Sequence, residues 1–312
     1  MKHPICRSVQ IFSVICVFLC LPILAQQKRI AVTIDDLPLN GPTIPIDRLR
    51  RMTDRILAVI TKNHIPVVGF VNESLLYVLN ETDARIHILK QWNATGVELG
   101  NHTFSHLGFK DASLSQYEDD FLRGDTVTKM LLKQTGRQER YFRHPFLQMG
   151  ATYEVEKTFE DFIGERGYVI APVSIDTMDW MILSAYAAAQ KKGDRKMMKR
   201  VSDEYLKFVD VRFDYTEKFA ADLFGRPVDQ ILLLHINEMN ADNFEALVDV
   251  IRKRGYDFVK LEQALKDPIY RFPKVYHPTS DILLNWSLSK KKSYDPPQPP
   301  EFIRKVFEQQ PN

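Results

Sequence analysis

Cysteine is nearly absent from this chain of 312 residues, and its three cysteines, Cys6, Cys16 and Cys20, all lie near the amino terminus. A chain that loses its first 25 residues therefore contains no cysteine. Such a chain can form no disulfide, and it has no thiol to act as a nucleophile or as a metal ligand. Cysteine chemistry is thereby excluded for the mature protein.

The amino-terminal segment also lacks an apolar run of about 20 residues, the length that spans a bilayer comfortably. Its apolar run covers only residues 11–21, follows Lys2 and Arg7, and is succeeded by Ala25. This order of basic, apolar and small residues is typical of a secretory signal. We therefore predict a signal peptide over residues 1–25 and an exported protein, periplasmic or extracellular, with no stable membrane span after cleavage. The alternative is an uncleaved membrane anchor.

An excess of charge of one sign is absent as well. The full chain has 42 basic and 40 acidic residues. Lys2 and Arg7 lie in the predicted signal, which contains no Asp or Glu, so removal of the signal leaves 40 basic residues against 40 acidic ones. A chain with no net charge is not suited to bind nucleic acid or an anionic membrane by bulk electrostatics. We predict neither as a partner.

Apolar segments of strand length alternate along the chain with segments of helical periodicity. Buried strands are predicted over residues 30–34, 65–71, 97–99, 168–175, 231–236 and 256–261. Helical faces are predicted between them over residues 49–60, 121–131 and 244–251. Strands that are buried on both faces and separated by helices favour a parallel α/β sheet or barrel.

Two later segments depart from this alternation. Residues 181–229 have a helical pattern rich in Lys, Arg and Ala, which indicates a helical insertion between two strands. This insertion could act as a lid or a dimer surface, or it could be a solvated decoration. Residues 271–312 contain Lys-rich and Pro-rich runs and are predicted to form a surface strap and a disordered tail. The catalytic domain is predicted over residues 26–270.

Polar side chains are concentrated where the predicted strands end. The first strand ends in Asp35 and Asp36, the third is followed by His102 and His106, and a later strand contains His235. Catalytic groups gather at strand ends in α/β barrels. Each residue taken singly has a structural alternative, since adjacent acids are common in helix starts and a lone histidine in an apolar run usually belongs to the core.

Together these residues match the usual protein ligands of a catalytic divalent metal, namely two imidazoles and a carboxylate with positions left for water. His102, His106 and one of Asp35 and Asp36 could supply that set. Successive side chains at a strand end point in different directions, so the second acid could face the open site as a base.

Five segments in this order resemble the motifs of the polysaccharide deacetylases, the NodB-homology family also called carbohydrate esterase family four. They are residues 33–36, 102–106, 143–146, 176–180 and 233–235, within a resemblance that covers residues 28–265. Three of them match the family patterns, as H-[ST]-x-x-H, D-x-x-D-W and L-x-H. The resemblance implies a distorted (β/α) barrel of the NodB type.

The resemblance also implies which residues bind the metal ion and which residue is the catalytic base. Asp36, His102 and His106 would bind one divalent metal ion, most often Zn²⁺ in this family although relatives use other divalent ions. Asp35 would be the catalytic base, and Arg143 would pair with it and orient it.

The remaining motif residues would supply the acid and the substrate pocket. By resemblance, His235 would be the general acid, held and kept charged by Asp179. Trp180 and Leu233 would form the wall of a small pocket for the acetyl methyl group. The backbone N–H of Phe146 would help to stabilise the oxyanion.

We therefore predict a metal-dependent hydrolase of non-peptide carbon–nitrogen bonds that removes N-acetyl groups from amino sugars of a cell-envelope or environmental glycan. The alternatives are an O-acetyl esterase or cyclic-amide hydrolase on the same scaffold, and a non-catalytic carbohydrate-binding relative. The chain departs from the family at Leu37-Pro38, where glycine is usual, and at Phe146-Leu147, where Tyr-Gly is usual. These departures flank the cleft and therefore concern the substrate more than the reaction.

Overall fold

The structure of the chain, a computed structural model, describes residues 27–272, 275–279 and 282–309. The predicted signal peptide, residues 1–25, lies outside the described residues. Within the described ranges, no helix combines the length and the apolar character needed to cross a bilayer.

The described residues form eight strands and eleven α-helices, joined by loops and short 3₁₀ turns. The strands are β1 (Lys28–Leu37), β2 (Val67–Val71), β3 (Glu98–Asn101), β4 (Tyr141–Phe142), β5 (Val169–Ile170), β6 (Ile175–Asp176), β7 (Gln230–His235) and β8 (Tyr256–Phe258). The helices are α1 (Ile46–Asn63), α2 (Thr82–Ala94), α3 (Leu114–Arg123), α4 (Thr126–Gln134), α5 (Tyr153–Gly164), α6 (Asp179–Lys191), α7 (Arg195–Phe224), α8 (Glu238–Lys253), α9 (Leu261–Ala264), α10 (Ile282–Lys290) and α11 (Glu301–Glu308).

The strands form one curled sheet in the order β5-β4-β3-β2-β1-β7-β6, with β8 beside the start of β1. Every strand pairing is parallel. The two ends of this order, β5 and β6, do not pair with each other within the described residues, so the barrel is open. The predicted α/β class and distorted (β/α) barrel are confirmed. Because all strands run the same way, their carboxyl ends lie along one edge.

The core lies between the sheet and the helices that cover it. In α1, Leu49, Met52, Ile56 and Ile60 are all buried on one face, which confirms the helix predicted from their spacing. The predicted face of residues 244–251 is likewise buried in α8. These faces join one apolar cluster that also contains the inward residues of β1. The strand that carries both acids is therefore held in the centre of the core.

Two predicted elements are wrong in detail, each for a local reason. The single strand predicted over residues 168–175 is two short strands, β5 and β6, separated by Pro172, which has no backbone N–H to donate to a sheet. The single helix predicted over residues 121–131 is divided into α3 and α4 at Gly124. Sequence periodicity alone also missed β4, α2 and α5.

The carboxyl-terminal segment is more ordered than predicted. Residues expected to form a disordered tail include α11, whose Ile303 is fully buried in the main core. Helix α10 places Trp286 in a separate apolar cluster with Leu223 of α7. The Lys-rich and Pro-rich runs dominated the prediction, whereas the apolar spacing of α11 determines its structure.

The long helix α7, which lies in the segment predicted as an insertion, packs its Phe213 into the main core. We expect Phe213→Ala to lower the free energy of unfolding by about 3–5 kcal/mol, because it removes a fully buried aromatic side chain. Urea denaturation followed by circular dichroism measures this change. Val211→Ala on the exposed side of the same helix is the control and should change stability by less than about 0.5 kcal/mol. Equal unfolding midpoints for the two variants would contradict the packing of α7 described above.

Candidate metal and acid–base site

The predicted site residues converge at the carboxyl edge of the sheet, around a cavity of about 540 Å³. Eight of the ten predicted residues line this cavity, namely Asp35, Asp36, His102, His106, Phe146, Trp180, Leu233 and His235. The other two, Arg143 and Asp179, lie behind them and contact Asp35 and His235 respectively. Residues separated by up to 200 positions in the chain are thus brought into one cavity.

Asp36, His102 and His106 form a compact trio. One ligand atom from each residue lies within 4.8 Å of the other two. The Nε2 atoms of His102 and His106 are each 3.4 Å from Oδ1 of Asp36. Ligands about 2.1 Å from one tetrahedral ion are separated by roughly 3.4 Å, so the trio has the spacing of a metal site.

The state of His102 suits a metal ligand. Its Nδ1 lies 2.8 Å from the carbonyl oxygen of Arg143. A carbonyl can only accept, so Nδ1 carries the proton and Nε2 presents its lone pair toward Asp36. Burial lowers the pKa of His102 well below its ordinary 6.5, and the neighbouring His106 lowers it further. Neutral imidazole is the form that binds a metal.

Asp36 provides the test of whether the trio fits a cation. Its Oδ2 accepts a hydrogen bond of 2.6 Å from the amide of Asn40. Its Oδ1 is buried and has no hydrogen-bond partner among the described residues. A buried carboxylate oxygen without a partner is energetically costly unless a cation or water compensates it. The donor set of two imidazole nitrogens and one carboxylate oxygen fits a divalent ion.

Asp35 is the second acid of the site, and its side chain is almost fully buried. Its Oδ2 is 3.7 Å from Nε2 of His102 and 3.8 Å from Nη1 of Arg143. Arg143 donates to Oγ1 of Thr33 at 2.9 Å, which fixes the guanidinium two residues before Asp35 on β1. Burial raises the pKa of Asp35 to about 6, although the charge of Arg143 opposes that rise.

His235 faces Asp35 across the pairing of β1 with β7, where the two residues are in register. Its Nδ1 lies 2.8 Å from Oδ1 of Asp179. Burial alone would lower the pKa of His235, but the charge and hydrogen bond of Asp179 outweigh it and raise the pKa to about 10. The imidazole is therefore protonated at neutral pH. The Asp179 carboxylate is itself held by the His235 backbone N–H and by the amide of Asn240.

The loop that carries the two histidines is held by α3. The backbone N–H of Phe104 donates to the carbonyl of Asp120 at 2.9 Å, and the N–H of Ser105 donates to the Asp120 carboxylate at 3.0 Å. A Cβ at Gly124 would lie 2.6 Å from the backbone of Thr103, so only glycine allows this approach.

Several non-glycine residues of the site have a left-handed backbone. They are Asp36 (φ 66°), Thr103 (φ 60°), His106 (φ 58°), Phe146 (φ 56°) and Met178 (φ 51°). Such conformations are disfavoured for these residue types and tend to cluster at functional sites. The surrounding fold therefore holds the site in a fixed geometry.

Several residues that contribute to the site were given no role by the sequence prediction, among them Thr33, Asn40, Asn240 and Phe307. Thr33 binds Arg143, Asn40 binds Asp36, and Asn240 binds Asp179. Asn40 lies four positions after Asp36, a spacing that could have suggested contact, whereas Asn240 lies in the first turn of α8, five positions after His235. Phe307 lines the cavity from α11, and nothing in its local sequence indicates that.

The chain is similar to known proteins over the segment that contains most of this site. Residues 24–159 match the sequence model described as polysaccharide deacetylase, and they include the metal trio, Asp35 and Arg143. The peptidoglycan-N-acetylmuramic acid deacetylase PdaA of Bacillus subtilis is 22% identical over 253 residues, which are 80% of this chain and 76% of that protein. The peptidoglycan-N-acetylglucosamine deacetylase of Bacillus cereus is 22% identical over 161 residues, 51% of this chain and 49% of that one.

Solved structures show the same fold. A polysaccharide deacetylase from Bacillus cereus superposes with a TM-score of 0.51 at 17% identity, covering 75% of this chain and 92% of that one. A pseudoenzyme of carbohydrate esterase family four from Bacillus anthracis gives a TM-score of 0.51 at 17% identity, covering 77% of this chain and 66% of that one. At such identities the likeness concerns the fold alone.

Proposed function

We propose that the chain is a member of the polysaccharide deacetylase family and a metal-dependent hydrolase that removes N-acetyl groups from amino sugars of a glycan, because residues 24–159 match that family's model and its relatives include peptidoglycan deacetylases. The observation that carries the proposal is the combination of three elements in one cavity. A trio of metal-binding type lies beside a buried acid, and a histidine paired with a carboxylate faces that acid.

The trio of Asp36, His102 and His106 would hold the metal ion. A divalent ion bound there would act as a Lewis acid toward the amide carbonyl and would lower the pKa of a water molecule. The ion that this chain uses is proposed to be Zn²⁺, because two imidazoles and a carboxylate are typical of catalytic zinc sites.

Asp35 would take the proton of the attacking water. Its pKa of about 6 suits a general base near neutral pH, because such a group is ionised yet still appreciably basic. Arg143 would hold the Asp35 carboxylate in position by its charge and by its hydrogen bond to Thr33. The backbone N–H of Phe146 would donate to the developing oxyanion.

His235 would protonate the departing amine nitrogen, which is a poor leaving group without a proton. Asp179 would keep a proton on His235 and would hold the ring by its contact with Nδ1, leaving Nε2 as the donor. Trp180 and Leu233, which both line the cavity, would contact the methyl end of the acetyl group.

The pH dependence tests the role of the Asp179–His235 pair. In the wild type, the alkaline limb should lie near pH 10, because His235 must be protonated to act as the acid. Asp179→Asn removes the charge that raises this pKa and leaves the burial that lowers it, so the alkaline limb of log kcat/KM should move toward or below pH 6.5. The measurement is a profile of kcat/KM from pH 5 to 11, with circular dichroism at each pH to check folding. An unmoved alkaline limb would assign the proton donor elsewhere.

The non-catalytic alternative predicts the loss of a base or of a metal ligand. This chain has Asp35, the complete metal trio and His235, all facing one cavity. The arrangement therefore favours an enzyme.

An assay of acetate release tests the proposed function. The mature protein is loaded with Zn²⁺ and incubated with peptidoglycan, chitooligosaccharides and acetylated xylan. We expect faster release from the N-acetylated glycans than from the O-acetylated xylan. Release from xylan alone would favour the esterase, and no release from any of them would contradict the hydrolase.

Export is a further part of the proposal. It rests on the order of basic, apolar and small residues over residues 1–25 and on the similarity to peptidoglycan deacetylases. Amino-terminal sequencing of the protein recovered outside the cytoplasm should give a chain that begins near Gln26. A chain that retains Met1 in the membrane fraction would instead indicate an uncleaved anchor.

A further inference from the structure

The cavity extends beyond the metal trio along an apolar wall made by α6 and α11. Trp180, Leu183 and Ala187 line the cavity at positions three and four residues apart, so they form one stripe along α6. The stripe runs for about 10 Å, since seven helical residues separate its ends. Phe307 of α11 completes it, with its ring centroid 5.3 Å from that of Trp180 in an edge-to-face arrangement. We call these four residues the apolar wall.

The carboxyl-terminal helix is anchored so that Phe307 is held at this position. One turn before Phe307, Ile303 is fully buried in the main core. Phe302 packs against the same core and lies 4.4 Å from the guanidinium of Arg200 on α7. Phe307 itself stays half-buried. The chain thus uses a segment outside its sheet to complete the cavity.

The loop after β1 packs against the apolar wall. Gly41 and Pro42 line the cavity, and a Cβ at Gly41 would lie 2.9 Å from Cδ2 of Leu183. Gly41 also has a φ of 100°, a conformation that L-residues rarely adopt. The wall and this loop therefore bound a slot and not an open face.

This side of the cavity offers few uncommitted hydrogen-bond donors to hydroxyl groups. The hydroxyl of Ser184 donates to the carbonyl of Met181 at 2.7 Å, and the amide of Asn40 donates to Asp36 at 2.6 Å. The apolar wall itself carries one polar side-chain atom, the indole nitrogen of Trp180. A pyranose ring displays hydroxyls around its edge and needs partners for them, whereas a hydrocarbon chain needs none.

From these features we infer that the slot holds the acyl group of the substrate and that it accepts linear N-acyl chains longer than acetyl. The inference rests on the proposed function, in which Trp180 contacts the methyl end of an acetyl group. An acyl chain that continues beyond that methyl group would pass Leu183 and Phe307 toward Ala187. The substrate class is therefore an amino sugar with a medium-length N-acyl chain, and Phe307 determines specificity.

An acyl series tests the inference with the full mature chain. The substrates are glucosamine oligomers that carry N-acetyl, N-butyryl or N-hexanoyl groups and are otherwise identical. We expect kcat/KM to rise about fourfold for each methylene that the slot buries, which corresponds to about 0.8 kcal/mol. A flat or falling series in an enzyme that hydrolyses N-acetyl groups would overturn the inference and leave the proposed function intact.

Two variants assign the effect to the apolar wall. Phe307→Ala and Ala187→Phe, which respectively open and fill the slot, should each lower the hexanoyl-to-acetyl ratio of kcat/KM at least about tenfold. Lys305→Ala on the exposed side of α11 is the matched control and should leave that ratio unchanged. A ratio that neither wall variant changes would overturn the assignment even if longer chains were preferred.

A binding measurement separates this inference from the proposed reaction. Trp92 and Trp286 are almost fully buried, so a ligand in the slot should change mainly the fluorescence of Trp180. In the Asp35→Asn variant, N-hexanoylglucosamine should bind at least about tenfold more tightly than N-acetylglucosamine. Such a difference without hydrolysis by the wild type would support the slot and contradict the proposed reaction. A gain produced by an octyl group on the anomeric oxygen, and not by the N-acyl chain, would overturn the inference.

Discussion

Asp35→Asn should lower kcat on an N-acetylated glycan by about 10²- to 10⁴-fold, the range that a general base contributes. Asparagine has nearly the same shape as aspartate but cannot accept the proton of the attacking water. Asp35 is almost fully buried, and its Oδ2 lies 3.7 Å from Nε2 of His102, beside the metal trio. The measurement is a steady-state assay of acetate release at pH 8, combined with metal analysis of the same sample.

Metal content separates this explanation from loss of the ion. Since Asp36, and not Asp35, is part of the trio, the Asp35→Asn variant should retain one equivalent of metal. Asp54→Asn, on the exposed face of α1, is the matched control and should retain full activity. Full activity of Asp35→Asn would contradict the assignment of the base.

Stability gives a second readout with a defined sign. Burial raises the pKa of Asp35 to about 6, above its ordinary value of 3.8. The ionised carboxylate therefore destabilises the folded state as pH rises from about 4 to 6, and the penalty is complete above that range. We expect the metal-free Asp35→Asn protein to be at least as stable as the wild type at pH 7. A catalytic loss that accompanies unchanged or higher stability cannot be attributed to unfolding.

The residues of the site were largely predictable because most of them lie at the carboxyl ends of different strands of one parallel sheet. Polar residues such as Asp35, Asp36 and His235 interrupt apolar strands at their ends, and parallel strands place those ends together. The sequence pattern therefore predicted both the fold class and the proximity of these residues to one another. Their roles depend on positions that a pattern does not contain, such as the contact of Arg143 with Asp35 behind the cavity.

The parts that could not be predicted depend on contacts between distant segments. Residues 168–175 have a continuous apolar pattern, yet Pro172 cannot pair in a sheet, and the segment divides into two strands. Helix α11 lies after Pro-rich and Lys-rich runs, and its position is determined by the burial of Ile303 in a core formed more than 40 residues earlier in the chain. The contact of Phe307 with Trp180 follows from that packing and from no local signal.

His102→Ala should remove the metal and the activity together. It deletes an imidazole whose Nε2 is 3.4 Å from Asp36 Oδ1 in the proposed metal site, and it also breaks the contact of Nδ1 with the Arg143 carbonyl. Loss of a partner that only supports a ligand already weakens metal affinity about 10- to 100-fold, so loss of the ligand itself should exceed that. We expect metal content to fall from one equivalent to near zero at low free Zn²⁺, and kcat/KM to fall at least about 10³-fold. The exposed His87→Ala variant is the matched control and should change neither quantity.

The response of stability to added metal tests the same site without an activity assay. An ion that binds only the folded protein stabilises it by about 2.7 kcal/mol at a free concentration one hundred times its Kd. The wild type should therefore melt at a higher temperature in Zn²⁺ than after treatment with a chelator, and His102→Ala should melt at the same temperature in both. If the variant kept the full response, the ion would have to bind elsewhere. Asp36 Oδ1, which is buried without a hydrogen-bond partner among the described residues, would then lack the compensation that a cation provides.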